Sequence, residues 1–420
     1  MKLYNCRFCG TNLIHTFVDL GATPLANSYL KPENSDEAEP FFSLHVRVCA
    51  ECFLVQLPEL EKPENIFTDY LYFSSFSPSW LAHAKDYCEK MSARFNLNEN
   101  SQVVEIASND GYLLQYFVEQ NIKVLGVEPA KNVAEHAIAK GVPTITKFFG
   151  VETATALIAD GIRADLTAAN NVLAHVPDIN DFVEGFAVLL KENGVATFEF
   201  PHLFNLVEKN QFDTIYHEHF SYLSLITVEK IFNAHGLRVF DVETLPTHGG
   251  SLRVFATKGN HETTENVARI KQKEAEFGLT NIEFLTKYDE QVKQTKRDLV
   301  AKLIEIKNDG KSIVAYGAAA KGNTLMNYCG IKTDFIDYVC DLNVHKQGNF
   351  LPGTRIEIAS PDRIKETKPD FVIILPWNLA DEIMNQLDFI RTWNGQFILP
   401  IPTVKIVSAR DKNNVERILK

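Results

Sequence analysis

The chain has 420 residues, of which 45% are hydrophobic and 23% charged, the balance of a globular protein with two or three domains. Its net charge of −12 argues against a general nucleic-acid-binding protein, and it has no apolar run of about eighteen residues, the length of a membrane-spanning helix. Because the N-terminus, MKLYNCRFCG, lacks the apolar core of a signal peptide, we expect a cytoplasmic, reducing environment.

Two Cys-x-x-Cys pairs lie near the N-terminus, one in CRFCG and one in CAECF. Each pair can direct two thiolates at one ion, and four thiolates favour tetrahedral zinc without an open coordination position. The intervening residues 11–48 exceed the commonest zinc-finger spacing, which a β-hairpin would accommodate. Four unrelated buried thiols are the alternative. We predict a structural zinc site with the ligands Cys6, Cys9, Cys49 and Cys52.

The stretch DYLYFSSFSPSW, residues 69–80, follows the cysteine region and is rich in aromatic and hydroxyl side chains. Tyr72, Ser74 and Ser75 could hydrogen-bond a diphosphate, with the aromatic rings beneath a base. Aromatic side chains in such a position also commonly form an interdomain core, so both interpretations stay open.

From about residue 101 the pattern alternates between short apolar strands and amphipathic helices. The predicted strands are VVEI, KVLGVEP, ADLTAAN and VATFEFP, and the predicted helices cover YLLQYFVEQ, residues 131–140 and residues 178–192. Alternation of this kind predicts an α/β fold with a parallel sheet, helices on both faces, and ligands at the carboxyl ends of the strands.

Polar residues cluster at those strand ends. Glu105 lies in the first strand and Glu128 ends the second, where an acid can accept both ribose hydroxyls of a nucleoside. The Gly-x-Gly-x-x-Gly series of dinucleotide sites is absent, so S-adenosylmethionine fits better than NAD. From these residues alone a methyl donor, NAD and no ligand all remain open. The candidate cofactor-binding residues are Glu105, Ala107, Ser108, Asn109, Asp110, Gly111, Glu128, Pro129, Asn170 and Asn171.

Residues 215–225, IYHEHFSYLSL, place two histidines, a glutamate and two tyrosines among apolar neighbours. Titratable side chains are costly to bury unless they are paired, so the stretch is either a structural cluster or a place where protons are transferred. For His217 we favour a buried structural role, because most histidines are not catalytic. Downstream, HGGSLR offers glycines for close approach and Arg253 as a planar anion-binding fork, or alternatively a turn with a surface arginine.

Residues 260–307 are charged and free of proline, which predicts one or two exposed connecting helices. The segments KSIVAYGAAAKGN, IDYVCD and FVIILPW then predict a second doubly wound domain. The spacing from Gly317 to Asp341 is a weak NAD-like signal. Lys321 and Asn323 at a helix start suit a phosphate, or equally a helix cap that faces water.

Motifs along nearly the whole chain resemble the sugar C-methyltransferases of deoxysugar pathways. They are VVEIASNDGYLL, GVEPAKNVAEHA, NNVLAHVPD, YHEHFSYLS, HGGSLRVF and YGAAAKGNTLMNY, together with the cysteine pairs. One position departs, since the family's first loop usually reads Glu-x-Gly and this chain has Ala107. We still expect donor binding, because alanine tolerates most backbone shapes that do not need positive φ.

The resemblance implies three domains. These are a zinc-binding domain at residues 1–68, a Rossmann-like class I methyltransferase domain at 69–260 that binds S-adenosylmethionine, and a C-terminal Rossmann-like α/β domain at 261–420 that contributes to the sugar-nucleotide site.

The resemblance also implies a nucleotide-linked 4-keto-6-deoxysugar as acceptor, methylated most often at C-3 through an enolate. The family's active-site residues correspond to Tyr216, Glu218 and His219. His219 would be the general base, Glu218 would orient it, and Tyr216 would donate a hydrogen bond to the enolate oxygen, with His175 assisting. The expected substrate-binding residues are Tyr72, Ser74, Ser75, Tyr222, His248, Gly249, Arg253, Lys321 and Asn323.

Other functions remain as alternatives. Methylation at C-5 or on oxygen, an NAD-dependent oxidoreductase that uses the last domain, and a catalytically silent zinc-bearing scaffold would each be compatible with part of the pattern. We expect no nucleic-acid or membrane partner. The oligomeric state, the nucleotide base and the sugar's stereochemistry are left open, and a monomer is compatible with the sequence.

Overall fold

The computed structural model describes residues 4–60 and 73–408. The α-helices in these residues are α1 (Pro78–Phe95), α2 (Leu114–Glu119), α3 (Lys131–Ala139), α4 (Val151–Ala159), α5 (Ile179–Leu189), α6 (Leu203–Glu208), α7 (Leu225–Ala234), α8 (Glu265–Phe277), α9 (Ile282–Thr286), α10 (Tyr288–Asn308), α11 (Ala320–Cys329), α12 (Arg363–Thr367) and α13 (Ala380–Gln386). The strands are β1 (His15–Thr23), β2 (Phe42–Val48), β3 (Val55–Gln56), β4 (Gln102–Ile106), β5 (Lys123–Val127), β6 (Thr144–Ile145), β7 (Ala164–Asn170), β8 (Leu190–Pro201), β9 (Ser221–Tyr222), β10 (Arg238–Leu245), β11 (Ser251–Thr257), β12 (Ile313–Tyr316), β13 (Val339–Cys340), β14 (Ile358–Ala359), β15 (Phe371–Ile374), β16 (Gln396–Leu399) and β17 (Lys405–Val407).

The chain forms two compact units. Unit 1 comprises residues 1–15, 48–204 and 218–282, and unit 2 comprises residues 16–47, 205–217 and 283–420. Each unit is built around its own sheet of alternating strands and helices, so the predicted α/β class is confirmed. The domain boundaries drawn from the sequence stay a prediction.

Unit 1 contains a seven-stranded sheet in the order β10-β11-β8-β7-β4-β5-β6. The pairs of β4 with β5 and β7, of β5 with β6, and of β7 with β8 are parallel, as the alternating pattern predicts. β11 pairs antiparallel with both β8 and β10, so the sheet is mixed rather than wholly parallel. The reversal occurs at HGGSLR, where Gly250 N donates to Thr247 O at 2.9 Å and closes a turn. Strand order reverses beside β4, and ligands of such sheets bind at that point.

The predicted elements of unit 1 have local causes. β4 has its valines fully buried, and α5 begins at Asp178, whose carboxylate accepts hydrogen bonds from Asn180 N and Asp181 N at 3.2 and 3.1 Å. These bonds satisfy backbone donors that a helix start otherwise leaves open. The helix expected over residues 178–192 therefore starts where the sequence places it, and β8 begins at Leu190.

The helices predicted over residues 260–307 are present, but there are three rather than one or two, and each also has a buried face. α8 carries Glu274, which is fully buried and accepts hydrogen bonds from His202 Nε2, Leu225 N and Ile226 N at 2.7, 2.6 and 2.9 Å. Its carboxylate thus satisfies the first amides of α7. α10 buries a stripe of apolar residues that includes Val292. The dense charges of this segment conceal these buried faces in the sequence.

Unit 2 contains a six-stranded sheet in the order β14-β13-β12-β15-β16-β17. Strands β12 to β16 pair in parallel, and β17 pairs antiparallel with β16. This is the second doubly wound domain that the sequence predicts. Within residues 4–60 and 73–408, none of the helices combines the length and apolar character that a membrane crossing needs.

Candidate active site

The two cysteine pairs converge in unit 1. The Sγ atoms of the four cysteines all lie within 4.8 Å of one another, and the pairs Cys6–Cys52 and Cys9–Cys49 are 3.5 Å apart. A tetrahedron of sulfurs around zinc, with Zn–S of about 2.3 Å, has edges of about 3.8 Å. The four sulfurs therefore fit a zinc ion with a closed coordination shell.

A tightly wound loop, residues 107–111, follows β4. Ala107, Asn109 and Gly111 have φ values of +54°, +49° and +77°, so three of its five residues are left-handed. The expectation that alanine at this position avoids positive φ is wrong. A left-handed conformation costs a residue with a Cβ roughly 1–2 kcal/mol, so the loop holds strain at Ala107.

Glu128 attaches this loop to the end of β5. Its Oε2 accepts a hydrogen bond from Asn109 N at 2.9 Å, and its Oε1 accepts one from Ala130 N at 2.8 Å. Burial raises the pKa of Glu128, and these two bonds oppose the rise. Because each carboxylate oxygen has two lone pairs, the side chain can still accept hydrogen bonds from ribose hydroxyls.

Ser108 lies beneath β5 and is fully buried. A Cβ placed on Gly126 would lie 2.3 Å from Ser108 Oγ, so glycine is needed at that position. Among the described residues Ser108 Oγ has no hydrogen-bond partner. A buried hydroxyl in this state usually marks a missing partner, which fits a ligand at this end of the sheet.

Tyr112 connects the ends of β4 and β7, a contact that the sequence analysis missed. Burial raises the pKa of Glu105 well above its ordinary value, and the nearby Tyr112 hydroxyl opposes the rise. Asn170, at the end of β7, also lies beside Tyr112, but among the described residues neither the Glu105 carboxylate nor the Asn170 amide has a partner at hydrogen-bond geometry. The signal in the sequence that could have identified Tyr112 is its position directly after the glycine in ASNDGY. Asn170 and the neighbouring Asn171 therefore lie where the sequence predicts, beside the loop after β4.

Ser74 and Ser75 contact the same loop. Ser74 N donates to Asn109 Oδ1 at 2.8 Å, and the Ser75 hydroxyl donates to the Asp110 carboxylate. Lys140 Nζ also lies 2.9 Å from Asp110 Oδ2. Tyr72 lies outside the described residues, and the diphosphate role of all three predicted residues stays a prediction.

His175 and His219 lie side by side in unit 1. Their rings are 4.6 Å apart between centroids with planes at 76°, and the Tyr222 ring lies 6.4 Å from that of His219. Burial lowers the pKa of His175 to about 4, a hydrogen bond to the Glu218 backbone opposes this, and the charge of His248 lowers the pKa further. His175 is therefore neutral at neutral pH.

The two units divide the stretch IYHEHFSYLSL after His217. His217 belongs to unit 2, where it is buried and meets the Phe42 ring edge-on at 5.8 Å. Burial lowers its pKa, and the nearby backbone of Ser43 and Phe42 opposes the shift, but among the described residues neither ring nitrogen has a hydrogen-bond partner. Ile215 O accepts a hydrogen bond from Thr324 Oγ1 at 2.9 Å, again within unit 2. The structural role of His217 therefore stays a prediction.

Three family models match consecutive parts of the chain. They are a putative zinc binding domain at residues 6–67, a methyltransferase domain at 80–242 and a C-methyltransferase C-terminal domain at 246–402. The C-methyltransferase NovU of Streptomyces niveus is 37% identical over 96% of this chain and 97% of its own length. The chain belongs to this family of C-methyltransferases. It is an S-adenosylmethionine-dependent methyltransferase with an N-terminal zinc-binding domain.

Other similarities cover less of the chain. The ubiquinone biosynthesis O-methyltransferase of Bartonella tribocorum is 27% identical over 29% of this chain and 51% of its own length. A solved S-adenosylmethionine-dependent methyltransferase from Clostridium acetobutylicum is 12% identical, and the match has a TM-score of 0.34 and covers 42% of this chain and 91% of that chain. The magnesium protoporphyrin IX methyltransferase of Synechocystis, solved with bound SAH, matches with 14% identity, 46% of this chain, 91% of that chain and a TM-score of 0.35.

Arg253 of the C-methyltransferase does not present an open anion-binding fork, which corrects the sequence interpretation. Its side chain is 1% exposed and ion-paired with Glu199 at 2.6 Å and Glu243 at 2.8 Å. Glu199 in turn accepts from His83 Nε2 at 2.8 Å. The guanidinium thus completes a buried ion-pair network that ties β8, β10 and β11 to α1. Its register partner Glu199 is distant in sequence, so the HGGSLR motif gave no sign of it.

Asn323 is also engaged within the protein. It is 2% exposed, and its amide nitrogen donates to Ala26 O inside unit 2. Among the described residues its Oδ1 has no partner, whereas the amide nitrogen has two donors, of which Ala26 O takes one. The expectation of a phosphate contact from the Asn323 side chain stays a prediction.

Lys321 stands at the start of α11 beside a buried acid. Its Nζ donates to Asn378 Oδ1 at 3.0 Å and lies 4.8 Å from the centre of the Trp377 ring. Trp377 Nε1 donates to Asp213 Oδ2 at 2.7 Å. Burial raises the pKa of Asp213 to about 7, and the charge of Lys321 opposes the rise. The sequence analysis missed Asp213, although it lies just before IYHEHFSYLSL.

The glycines of the second strand–loop–helix have packing roles. A Cβ on Gly317 would lie 2.3 Å from Pro376 Cγ, and one on Gly322 would lie 2.7 Å from Leu375 Cδ1. Both glycines therefore allow the loop to pack against the end of β15. Packing therefore accounts for glycine at positions 317 and 322.

Proposed function

We propose that this C-methyltransferase transfers a methyl group to C-3 of a nucleotide-linked 4-keto-6-deoxysugar through an enolate. The observation that carries the proposal is the pair of His175 and His219, whose rings lie 4.6 Å apart. A carbon acceptor has no lone pair for attack, so it must first lose a proton to a general base. A neutral histidine near its working pKa suits that task at neutral pH.

His219 is the base in this proposal. It is half-buried, which leaves it open to a substrate, whereas burial keeps His175 neutral and hydrogen-bonded to the Glu218 backbone. That bond holds the segment on which His219 lies. Glu218 orients or stabilises the protonated imidazole, and Tyr216 donates a hydrogen bond to the oxygen of the enolate.

The donor contributes an electrophilic sulfonium methyl group when it is bound. In this chain Glu128 would accept the ribose hydroxyls, and the loop at residues 107–111 would lie against the rest of the donor. The remaining predicted donor residues, Glu105, Pro129, Asn170 and Asn171, lie at the ends of the neighbouring strands. Zinc plays no chemical part, since four cysteine sulfurs fill its coordination shell.

The sugar nucleotide would be held by polar residues that the family resemblance implies. We assign its binding to Tyr72, Ser74, Ser75, Tyr222, His248, Gly249 and Lys321. Of these, Lys321 carries a positive charge at the start of a helix, which suits a phosphate. We also propose a cytoplasmic location and independence from nucleic acid and membranes.

Two rivals within enzymes make different predictions. Methylation at C-5 changes the position of the new carbon, whereas methylation on oxygen needs no enolate. The NAD-dependent oxidoreductase stays as a third alternative.

The test is a panel of nucleotide-linked ketosugars incubated with isotopically labelled S-adenosylmethionine. Mass spectrometry identifies the acceptor, and NMR locates the labelled carbon. We expect label at C-3 and none on oxygen. Label found only on oxygen would refute the enolate mechanism. A methylated product that is formed in heavy water, keeps its C-3 hydrogen and contains no deuterium would also refute it.

A further inference from the structure

Arg7 lies between the two cysteines of the first pair and reaches into the methyltransferase part of unit 1. Its Nη1 donates to Pro177 O at 2.6 Å, and its Nη2 donates to Leu57 O. The guanidinium carbon also lies 5.4 Å from the centre of the Phe220 ring. One side chain thus contacts three separate segments of unit 1.

These segments carry the two histidines. Pro177 is two residues after His175, and Phe220 directly follows His219. Phe220 N donates to Ala174 O at 2.8 Å, and Leu57 N donates to Phe220 O at 2.9 Å. Any movement of Arg7 would therefore be transmitted to both histidine-bearing segments through short hydrogen bonds.

The other end of Arg7 is fixed by the cysteine cluster. Arg7 N donates to Gln56 Oε1 at 2.9 Å, and Gln56 Nε2 donates to Cys6 Sγ at 3.2 Å. Asn180 Nδ2, near the start of α5, donates to Arg7 O at 3.1 Å. β3 continues the connection, since Val55 and Gln56 pair with Tyr222 and Ser221 of β9.

We infer that Arg7 is a positioning residue that holds the His175 and His219 segments in register with each other. The guanidinium has donors in a rigid fork that can bond two carbonyls at once, which a lysine ammonium cannot reproduce in the same geometry. The inference rests on the proposed function, in which His219 is the base. The cysteine cluster then has a second role besides zinc binding, because it anchors the residue that aligns the two histidines.

The test compares Arg7→Met, Arg7→Lys and Arg7→Gly with the control Lys230→Met. Lys230 contacts the loop that carries the second cysteine pair, through Glu51 O at 3.3 Å and the Phe53 ring at 4.7 Å. Misplacing reacting groups by about 1 Å can cost on the order of 10²-fold in rate. We expect Arg7→Met to lower kcat by 10- to 100-fold at unchanged donor Kd and zinc content, Arg7→Lys to recover it in part, and Lys230→Met to match wild type.

A rescue experiment separates alignment from general stability. Millimolar guanidinium should restore turnover to Arg7→Gly by at least fivefold, whereas methylammonium should not. The inference is overturned if the kcat of Arg7→Met, calculated per zinc-loaded enzyme, equals that of the wild type. It is also overturned if Lys230→Met loses as much kcat as Arg7→Met. His219→Asn is measured alongside, because near-normal methylation by that variant would refute the proposed base instead, whatever Arg7 does.

Discussion

His175 and His219 meet edge to face, with ring centroids 4.6 Å apart and planes at 76°. Burial keeps the first imidazole neutral, a hydrogen bond to the Glu218 backbone holds it in place, and the second imidazole is half-buried. The proposed function assigns a supporting role to His175 and the role of base to His219. This assignment gives the first prediction its direction.

His219→Asn keeps much of the size and a hydrogen-bonding group but has no basicity. Loss of a general base typically lowers the rate by about 10²–10⁴-fold. We expect that loss in kcat, with the Kd for S-adenosylmethionine unchanged by calorimetry. His217→Asn is the matched control, and we expect a much milder effect on turnover. If His219→Asn methylates at a near-normal rate, His175 becomes the next candidate for the base.

The buried neutral state of His175 predicts a pH dependence of stability. Its folded pKa is about 4, whereas its ordinary value is 6.5. Between these values the unfolded chain binds the extra proton, so the free energy of unfolding falls as the pH falls from 6.5 toward 4. From pH 7 to pH 5 the contribution of His175 amounts to about 2 kcal/mol.

Urea unfolding at both pH values would measure this contribution. His175→Gln cannot titrate, so its loss of stability on acidification should be smaller than that of the wild type. The other histidines are the same in both proteins, which leaves the difference to His175. Parallel losses in the two proteins would contradict the assignment.

Ala107→Gly should stabilise the protein. The substitution removes the strain of a left-handed alanine but adds backbone entropy to the unfolded chain, for a net gain of about 0.5–1 kcal/mol. Gly111→Ala is the opposite change, since φ is +77° and the new Cβ would lie 3.0 Å from Val142 Cγ2. The free energy of unfolding measured with urea should therefore be higher than in the wild type for Ala107→Gly and lower for Gly111→Ala. A destabilised Ala107→Gly would show that this loop relaxes around alanine.

Zinc removal should destabilise unit 1. The four sulfurs lie within 4.8 Å of one another, and metal binding to such a cluster contributes directly to folding free energy. We expect one zinc per chain by elemental analysis, and a lower melting temperature after chelation that added zinc reverses. Cys9→Ser, at the exposed ligand, should lower zinc affinity with little change in packing. Protein purified without chelator that contains no zinc would rule out the site.

The sequence predicted those parts of the site that depend on local pattern. The alternation of strands and helices predicts that Glu128 and Asn170 lie at strand ends. The Cys-x-x-Cys spacing likewise indicates the metal site directly in the sequence. The sequence could not show that Arg253 meets Glu199, because antiparallel pairing of β11 with β8 brings these residues together. Likewise no local motif distinguishes Tyr112, Asp213 or Arg7. Their partners come from other elements, so only the tertiary structure reveals them.

The interleaving of the two units has a consequence during protein synthesis. Residues 16–47 leave the ribosome early but belong with residues 283–420, whereas unit 1 needs residues up to 282. At a synthesis rate of about 5–20 residues per second, the early segment waits on the order of 20–75 s for the rest of its unit. The nascent chain therefore cannot finish one body before it starts the other. A gene fragment that ends at residue 282 would encode all of unit 1 together with two segments that have no unit to join.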